Sequence, residues 1–297
     1  MNNDKVKRSR QIAIEVGDRC NFKCAHCGDG ISRNSCLSSR ELRFLSEVLR
    51  QENFKDILFV GGETTLYVPE INQILSGARG FSGCVAITTN GYFATSVAAA
   101  KKVLSSFLNL DSVQLSFDKF HCKFLPFPHV KNLWKACLDL GLNFSVLTAI
   151  QDPLDLLLLE KLWVLGGVKV GVSKILPLGN AKTNKLGMKY PSFDRGILTR
   201  KCPSRSNLVY LCSKGFTSCC SILTRNSRCG VFFSDTVGGF YAKPFHRLIS
   251  GHTFGSLAKL FGADLGGELP EWSNPCVICS YIFSQPGAKK WLEENSD

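Results

Sequence analysis

Apolar positions in this chain gather into short runs, and the stretches between them carry helical spacing. Runs at 11–16, 56–60, 85–89, 113–117, 144–150 and 168–176 are mostly apolar and read as strands. Ser38-Ser39-Arg40-Glu41 offers a capping box, so a helix is expected over 42–49. Further helices are expected at 68–75, 95–107, 130–140 and 154–165, the third strand thus being followed by an alanine-rich segment. Pro177 stops the sixth strand. Regular β–α alternation predicts parallel strands joined by right-handed crossovers. Six units are too few for a closed eight-unit barrel, and an open (β/α)6 partial barrel fits the pattern. In such sheets the chemistry sits at the C-terminal strand ends.

The alternation stops near residue 185, where Gly, Ser and short strand-like pieces take over. The expected organisation is a barrel over 1–185 and a small cysteine-rich domain over 186–297. A chain of 297 residues that is 44% apolar, with 21 Phe, can bury a substantial core. Fourteen cysteines are many for this size. Residues 1–10 are polar and basic, unlike a secretory signal, and no uncharged apolar run approaches the length of a membrane span. A cytoplasmic chain with reduced, metal-ligating thiols is therefore expected. The net charge of +12 is spread along the chain, and no nucleic-acid motif accompanies it. That charge reads as a solvated surface or as a basic rim for an anionic substrate.

The chemistry centres on Cys20-Asn21-Phe22-Lys23-Cys24-Ala25-His26-Cys27, directly after the first strand. Three soft thiolates in eight residues can wrap one corner of an iron–sulfur cubane and leave one iron without a protein ligand. Zinc with His26 or a distant cysteine is the other chemistry open to such a loop. Gly61-Gly62-Glu63 follows the second strand, Thr88-Thr89-Asn90-Gly91 ends the third, and Ser116-Phe117-Asp118 ends the fourth. His121 follows closely and is a candidate proton donor or acceptor. Leu176 ends the sixth strand, before Pro177-Leu178-Gly179-Asn180-Ala181.

Together these motifs resemble the radical S-adenosylmethionine (SAM) family. The resemblance covers residues 11–181 as the core and 202–279 as an auxiliary domain of the twitch or SPASM kind. It implies a [4Fe–4S] cluster on Cys20, Cys24 and Cys27, with SAM on its open iron. Glu63, after Gly61 and Gly62, would hold the SAM amine, with Asn90 near the ribose. Ser116 and Asp118 would face the SAM carboxylate or ribose, or substrate. Leu176 and its neighbours would contact adenine. Phe22 would cover the cluster, and His26 stands where the family usually has an aromatic beside adenine. Cys202, Cys220, Cys276 and Cys279 resemble the ligands of a second, auxiliary [4Fe–4S] cluster, with Cys219 as the alternative to Cys220; a four-cysteine zinc site is the structural alternative. Cys212, Cys219 and Cys229 are candidate hydrogen-atom donors, whereas Cys84 and Cys137 read as small core residues.

The implied activity is reductive cleavage of SAM to a 5′-deoxyadenosyl radical, which takes a hydrogen atom from a peptide or other natural product. Oxidation or cross-linking would pass an electron to the auxiliary cluster. Redox-neutral epimerisation would instead use a cysteine donor. A non-catalytic zinc adaptor for nucleic acid would explain the charge, but not the motifs on successive strand ends. A flavodoxin- or ferredoxin-type electron donor is implied. With no leader-binding segment before residue 11, a small substrate or a separate leader-binding protein is expected.

Overall fold

A computed structural model describes residues 10–30, 34–219, 221–225, 227 and 230–295. Strands β1 (Gln11–Glu15), β2 (Asp56–Val60), β3 (Cys84–Thr89), β4 (Ser112–Ser116), β5 (Asn143–Ile150) and β6 (Lys169–Lys174) follow one another in sequence and in space. All five pairings between them are parallel. Alternate residues of β2, β3 and β4 are buried, which packs one face of the sheet against helices. This is the expected partial barrel.

The helices on that face are α1 (Ser39–Gln51), α2 (Val68–Gly77), α3 (Val97–Leu104) and α4 (Phe127–Asp139). Ser38 and Glu41 form the capping box of α1, each bonding the other's backbone N–H. Ser96 caps α3 in the same position. The segment Pro153–Leu165 differs from the expected α-helix and winds as 3-10 turns. Its apolar residues, four of them consecutive leucines, surround the axis rather than mark one face, so no helical stripe can be buried. Leu154, Leu157 and Trp163 remain exposed in consequence.

The second half does not stand apart from the barrel. Strand β7 (Val209–Leu211) pairs in parallel with β1, and β8 (Gly215–Thr217) turns back antiparallel to β7. The order of the resulting eight-stranded sheet is β6-β5-β4-β3-β2-β1-β7-β8. Leu208, Tyr210 and Phe216 join the barrel core, while Val209 and Leu211 face a second core. The helices of this half are α5–α11: Asn180–Thr183, Ile222–Arg225, Val237–Ala242, Pro244–Gly251, Phe254–Phe261, Pro275–Phe283 and Pro286–Glu294 in turn. The second core draws mainly on α8–α11, whereas Val237 and Phe240 of α7 join the barrel core. Among the described residues no helix is long and apolar enough to cross a membrane.

Candidate active site

The cysteine loop leaves β1 at the C-terminal edge of the sheet and is held from several strand ends. At the end of β2, Gly62 N–H donates to the Gly17 carbonyl at 2.9 Å and Glu63 N–H to the Arg19 carbonyl at 2.8 Å. A Cβ on Gly62 would lie 2.1 Å from the Arg19 oxygen, so the glycine permits backbone to lie against backbone. The glycine thus lets the end of β2 lie directly against the cysteine loop.

Glu63 is almost fully buried. Its Oε1 accepts from the Thr65 N–H (3.1 Å) and from the hydroxyls of Thr65 and Thr89 (2.6 Å each), and Oε2 accepts from the Asn90 N–H at 2.7 Å. Oε1 thus takes three donors and Oε2 one, and room for a further donor is left on Oε2. Asn90 carries this order into the loop, its amide donating to Asn21 Oδ1 at 2.8 Å and approaching Cys20 Sγ at 3.8 Å.

The segment after β6 grips the loop from the other side. Asn180 N–H donates to the Cys27 carbonyl at 2.9 Å, and its side-chain amide to the Cys24 carbonyl at 3.2 Å. Asn184 donates to the Ala25 carbonyl at 3.0 Å. Gly179, at φ +55°, brings its Cα against the Cys27–Gly28 backbone, where a Cβ would stand 2.4 Å from the Gly28 oxygen. The stretch expected to touch adenine thus braces the cysteines.

Cys24 is buried, while Cys20 and Cys27 are half-buried. Burial, then the nearby negative charges of Asp118 and of the other two thiolates, push the Cys24 thiol up to about 12. Burial raises Cys20 and Cys27 as well. Three mutually repelling sulfurs in a partly dry pocket are a donor set that a cation stabilises as thiolates. They fit a metal cluster.

Next to them Asp118 is buried and saturated. Its Oδ1 accepts the N–H groups of Phe120 (2.9 Å) and His121 (3.0 Å), and its Oδ2 faces His121 Nδ1 (2.8 Å) and His26 Nε2 (3.3 Å). Burial by itself would raise this carboxyl, but the two imidazoles hold it well below the usual carboxylate range. Each imidazole turns one ring nitrogen to it, and the other ring nitrogen of His26 is Nδ1. That atom is buried and has no partner among the described residues. His26 also stacks on Phe120 at 4.6 Å between centroids. Four contacts from its own chain hold Asp118, which thereby orients the two histidines at the edge of the cavity.

Two adjoining cavities open beside the loop. The smaller, about 320 Å³, is lined by His26, Ser116, Asp118, His121, Leu176 and Arg225. An N–H or O–H donor bound there would satisfy His26 Nδ1, as the adenosine part of SAM would. The larger, about 980 Å³, is lined by Glu15, Asp18, Asp29, Cys212, Lys214 and Arg225, among others. Arg225 belongs to both. It pairs with Glu15 and, at 2.8 Å, with Asp29, tying α6 to the cysteine loop. Glu15, Asp29, Arg225 and Asn184 carry no motif and were not foreseen.

No family model matches the chain. "Putative peptide biosynthesis protein YydG" of Bacillus subtilis (strain 168) is 25% identical over 189 residues, 59% of this chain and 57% of that protein. The "S-adenosylmethionine-dependent nucleotide dehydratase" of Thermoplasmatales archaeon (strain ISO4-H5) is 30% identical over 95 residues, 30% of this chain and 32% of its own length. The chain thus matches little more than half of the one and a third of the other. Among solved structures, "Native anSMEcpe with bound AdoMet and Cp18Cys peptide" shares the fold at a TM-score of 0.52 and 15% identity, over 96% of this chain and 98% of that one. With the three-cysteine loop at the end of β1, these likenesses support the resemblance to the radical SAM superfamily.

In the second half, the thiols of Cys202, Cys219 and Cys276 act electrostatically on that of Cys279, and burial together with their charges pushes it well up. Cys202 is raised to about 11, by burial first and Cys219 among the rest. Cys276 lies in the first turn of α10 and Cys279 one turn on, which sets both on one side of the helix. Cys219, the alternative to Cys220, is the residue brought to this group; Cys220 and the proposed donor Cys229 lie outside the described residues. Cys212 lies apart, in the wall of the larger cavity. Burial, with some opposing help from the Ser213 hydroxyl, pushes its thiol up to about 12. Cys137 is a fully buried core residue of α4, as expected.

Proposed function

We propose that this radical SAM chain generates a 5′-deoxyadenosyl radical and uses it to take a hydrogen atom from a peptide or related natural product. The observation that carries this reading is the cysteine loop itself: three thiols held from the ends of β2, β3 and β6, with a cavity of about 980 Å³ at their side. The likeness to a peptide biosynthesis protein and to a fold that holds a peptide supports a peptide substrate. When bound, the cluster and SAM supply the electron and the radical.

The chain's own residues bind, orient and exclude water. Cys20, Cys24 and Cys27 hold the cluster; Phe22, packed beneath Phe124, covers it. His26, Ser116, His121 and Leu176 line the SAM cavity, and Asp118 fixes both imidazoles. His121, held to Asp118 through Nδ1, is the candidate proton donor or acceptor. Cys202, Cys219, Cys276 and Cys279 form the ligand set of an auxiliary cluster, which serves oxidation or cross-linking.

Cys212 favours a second reading, epimerisation. A thiol kept protonated in the wall of the substrate cavity is suited to give a hydrogen atom to a substrate radical. Anaerobic reconstitution followed by iron and sulfide analysis tests the first reading: about eight irons per chain are expected, since each cubane carries four. Zinc without iron would overturn it. Turnover in deuterated water separates the two reactions. Epimerisation places deuterium at one inverted carbon, and Cys212→Ser lets SAM cleavage continue without product. Oxidised product with no solvent deuterium would leave Cys212 a cavity wall.

A further inference from the structure

Among the described residues the sheet ends in a strand with one free side. β6 is the terminal strand, with β5 as its neighbour, and it is exposed along almost its whole length. Ile175 N–H donates to the Ile150 carbonyl at 3.0 Å, and Lys174 stands opposite Ile150 in the parallel ladder. Odd-numbered residues of β6 therefore turn their N–H and C=O groups towards β5. The even-numbered Val170, Val172 and Lys174 turn theirs outward, to the open edge.

Apolar surface lies along the same edge. Leu147, Ala149 and Ser173 line the smaller cavity, which makes theirs the inner face of the sheet. Val170 and Val172 stand on the other face, beside the buried Val146 and Thr148, and are 38% and 51% exposed. The 3-10 segment Pro153–Leu165 covers β5 on that face, with Leu162 and Leu165 in the barrel core beside Val146, and is joined to β6 by only Gly166, Gly167 and Val168. About three residues per turn put Leu154, Leu157, Glu160 and Trp163 of this segment in one row, and all four are exposed. An open backbone edge and a bare apolar face thus share one border of the molecule.

This edge is self-complementary. Antiparallel pairing bonds outward-turned residues to each other, so an even-numbered residue must stand opposite an even-numbered one. Lys169 then never faces Lys174, the one contact that would repel. The sequence around Gly171 reads Val-Gly-Val in both directions. With Gly171 on a two-fold axis, Val170 of one copy stands opposite Val172 of the other, twice, and Lys169 stands opposite Ser173. Each valine pair exchanges two backbone hydrogen bonds and covers apolar surface that the single copy leaves bare.

We propose that two copies of this chain pair antiparallel through β6 and so continue one sheet across a dimer. Such pairing does not depend on the radical SAM reading. The larger cavity stays open in the dimer, because its walls include Glu15 and Leu211 of β1 and β7, far from β6 in the strand order.

Sedimentation equilibrium of the full chain at low and high salt tests this. The wild type is expected to be a dimer. Its Kd should fall as salt rises, because two copies of net charge +12 repel and salt screens that repulsion. Val170→Lys with Val172→Lys sets like charges opposite each other across the axis and should raise Kd by about tenfold or more. Val170→Lys with Val172→Glu sets opposite charges at the same positions and should return Kd towards the wild-type value. Both valines are exposed in the single copy, so both variants should keep the wild-type far-UV circular dichroism. A wild type that is monomeric at every concentration would overturn the proposal. So would a dimer that salt loosens, or one that the two variants alter equally. A monomeric wild type that binds a labelled peptide of alternating Glu and Val, more tightly once both valines are lysine, would give the edge to an extended acidic peptide instead.

Discussion

At the scale of single residues, Glu63 joins structure to chemistry. Its carboxylate gathers the Thr65, Thr89 and Asn90 donors at the end of β3, and Asn90 then fixes the loop through Asn21. Glu63→Gln puts an NH2 where either the Asn90 N–H or the Thr65 N–H needs an acceptor. The threonine hydroxyls can rotate to receive it, but a backbone N–H cannot. A buried donor left unpaired costs about 1–3 kcal/mol. The apo-protein of Glu63→Gln should therefore unfold at lower urea, with an unchanged slope. If Glu63 served only to hold the SAM amine, urea unfolding without SAM would be the same as wild type.

At the scale of elements, the strand-end motifs work by letting chain lie against chain. Gly62 has no room for a Cβ beside the Arg19 carbonyl, and the obstacle is backbone, which cannot swing aside. Gly62→Ala should cost about 3 kcal/mol and lower iron uptake by the cysteine loop, because the end of β2 must withdraw from it. Gly238, in α7, has nothing within 4 Å of a built Cβ. Gly238→Ala should leave iron uptake unchanged and be neutral or slightly stabilising. Differential scanning calorimetry and iron analysis on both variants check the pair. Much of this scale was legible in the sequence. Mostly apolar runs marked β1–β6, including the largely exposed β6; Ser38 and Glu41 marked the start of α1, and the motifs fell on successive strand ends. The partners of the loop were not legible, because they depend on closure of the fold. Asn180 reaches Cys24 across 156 residues and Arg225 reaches Glu15 across 210. Cys219 and Cys220 are adjacent, and spacing alone does not tell them apart. In extended backbone neighbouring side chains point to opposite sides, so the choice waits on the twist of the chain after β8.

At the scale of the whole molecule, the cysteine-rich half completes the barrel as well as carrying its own thiol group. Ala13 N–H donates to the Leu208 carbonyl at 3.0 Å, and Ile14 stands opposite Tyr210 in the ladder. Tyr210 OH and the Ser213 N–H both reach Glu41, the capping residue of α1, at 3.0 and 2.9 Å. Removing everything after residue 185 would strip β1 of its outer neighbour and uncover Ile12, Ile14 and Leu42 where Leu208, Tyr210 and Phe216 had covered them. An unpaired apolar strand at the edge of the remaining sheet is a template for association. The 1–185 fragment should therefore elute from size exclusion as aggregate, even with the cysteine loop and its three motifs intact. Cys202→Ala with Cys276→Ala in the full chain tests the other contribution. These changes remove thiols but leave β7 and β8 on the sheet. That variant should elute as wild type does, bind about four irons instead of about eight, and still cleave SAM. A soluble, well-folded 1–185 fragment would mean that the barrel closes its own edge without β7. Aggregation of the double variant would mean that the auxiliary thiols, through what they bind, hold the second core together.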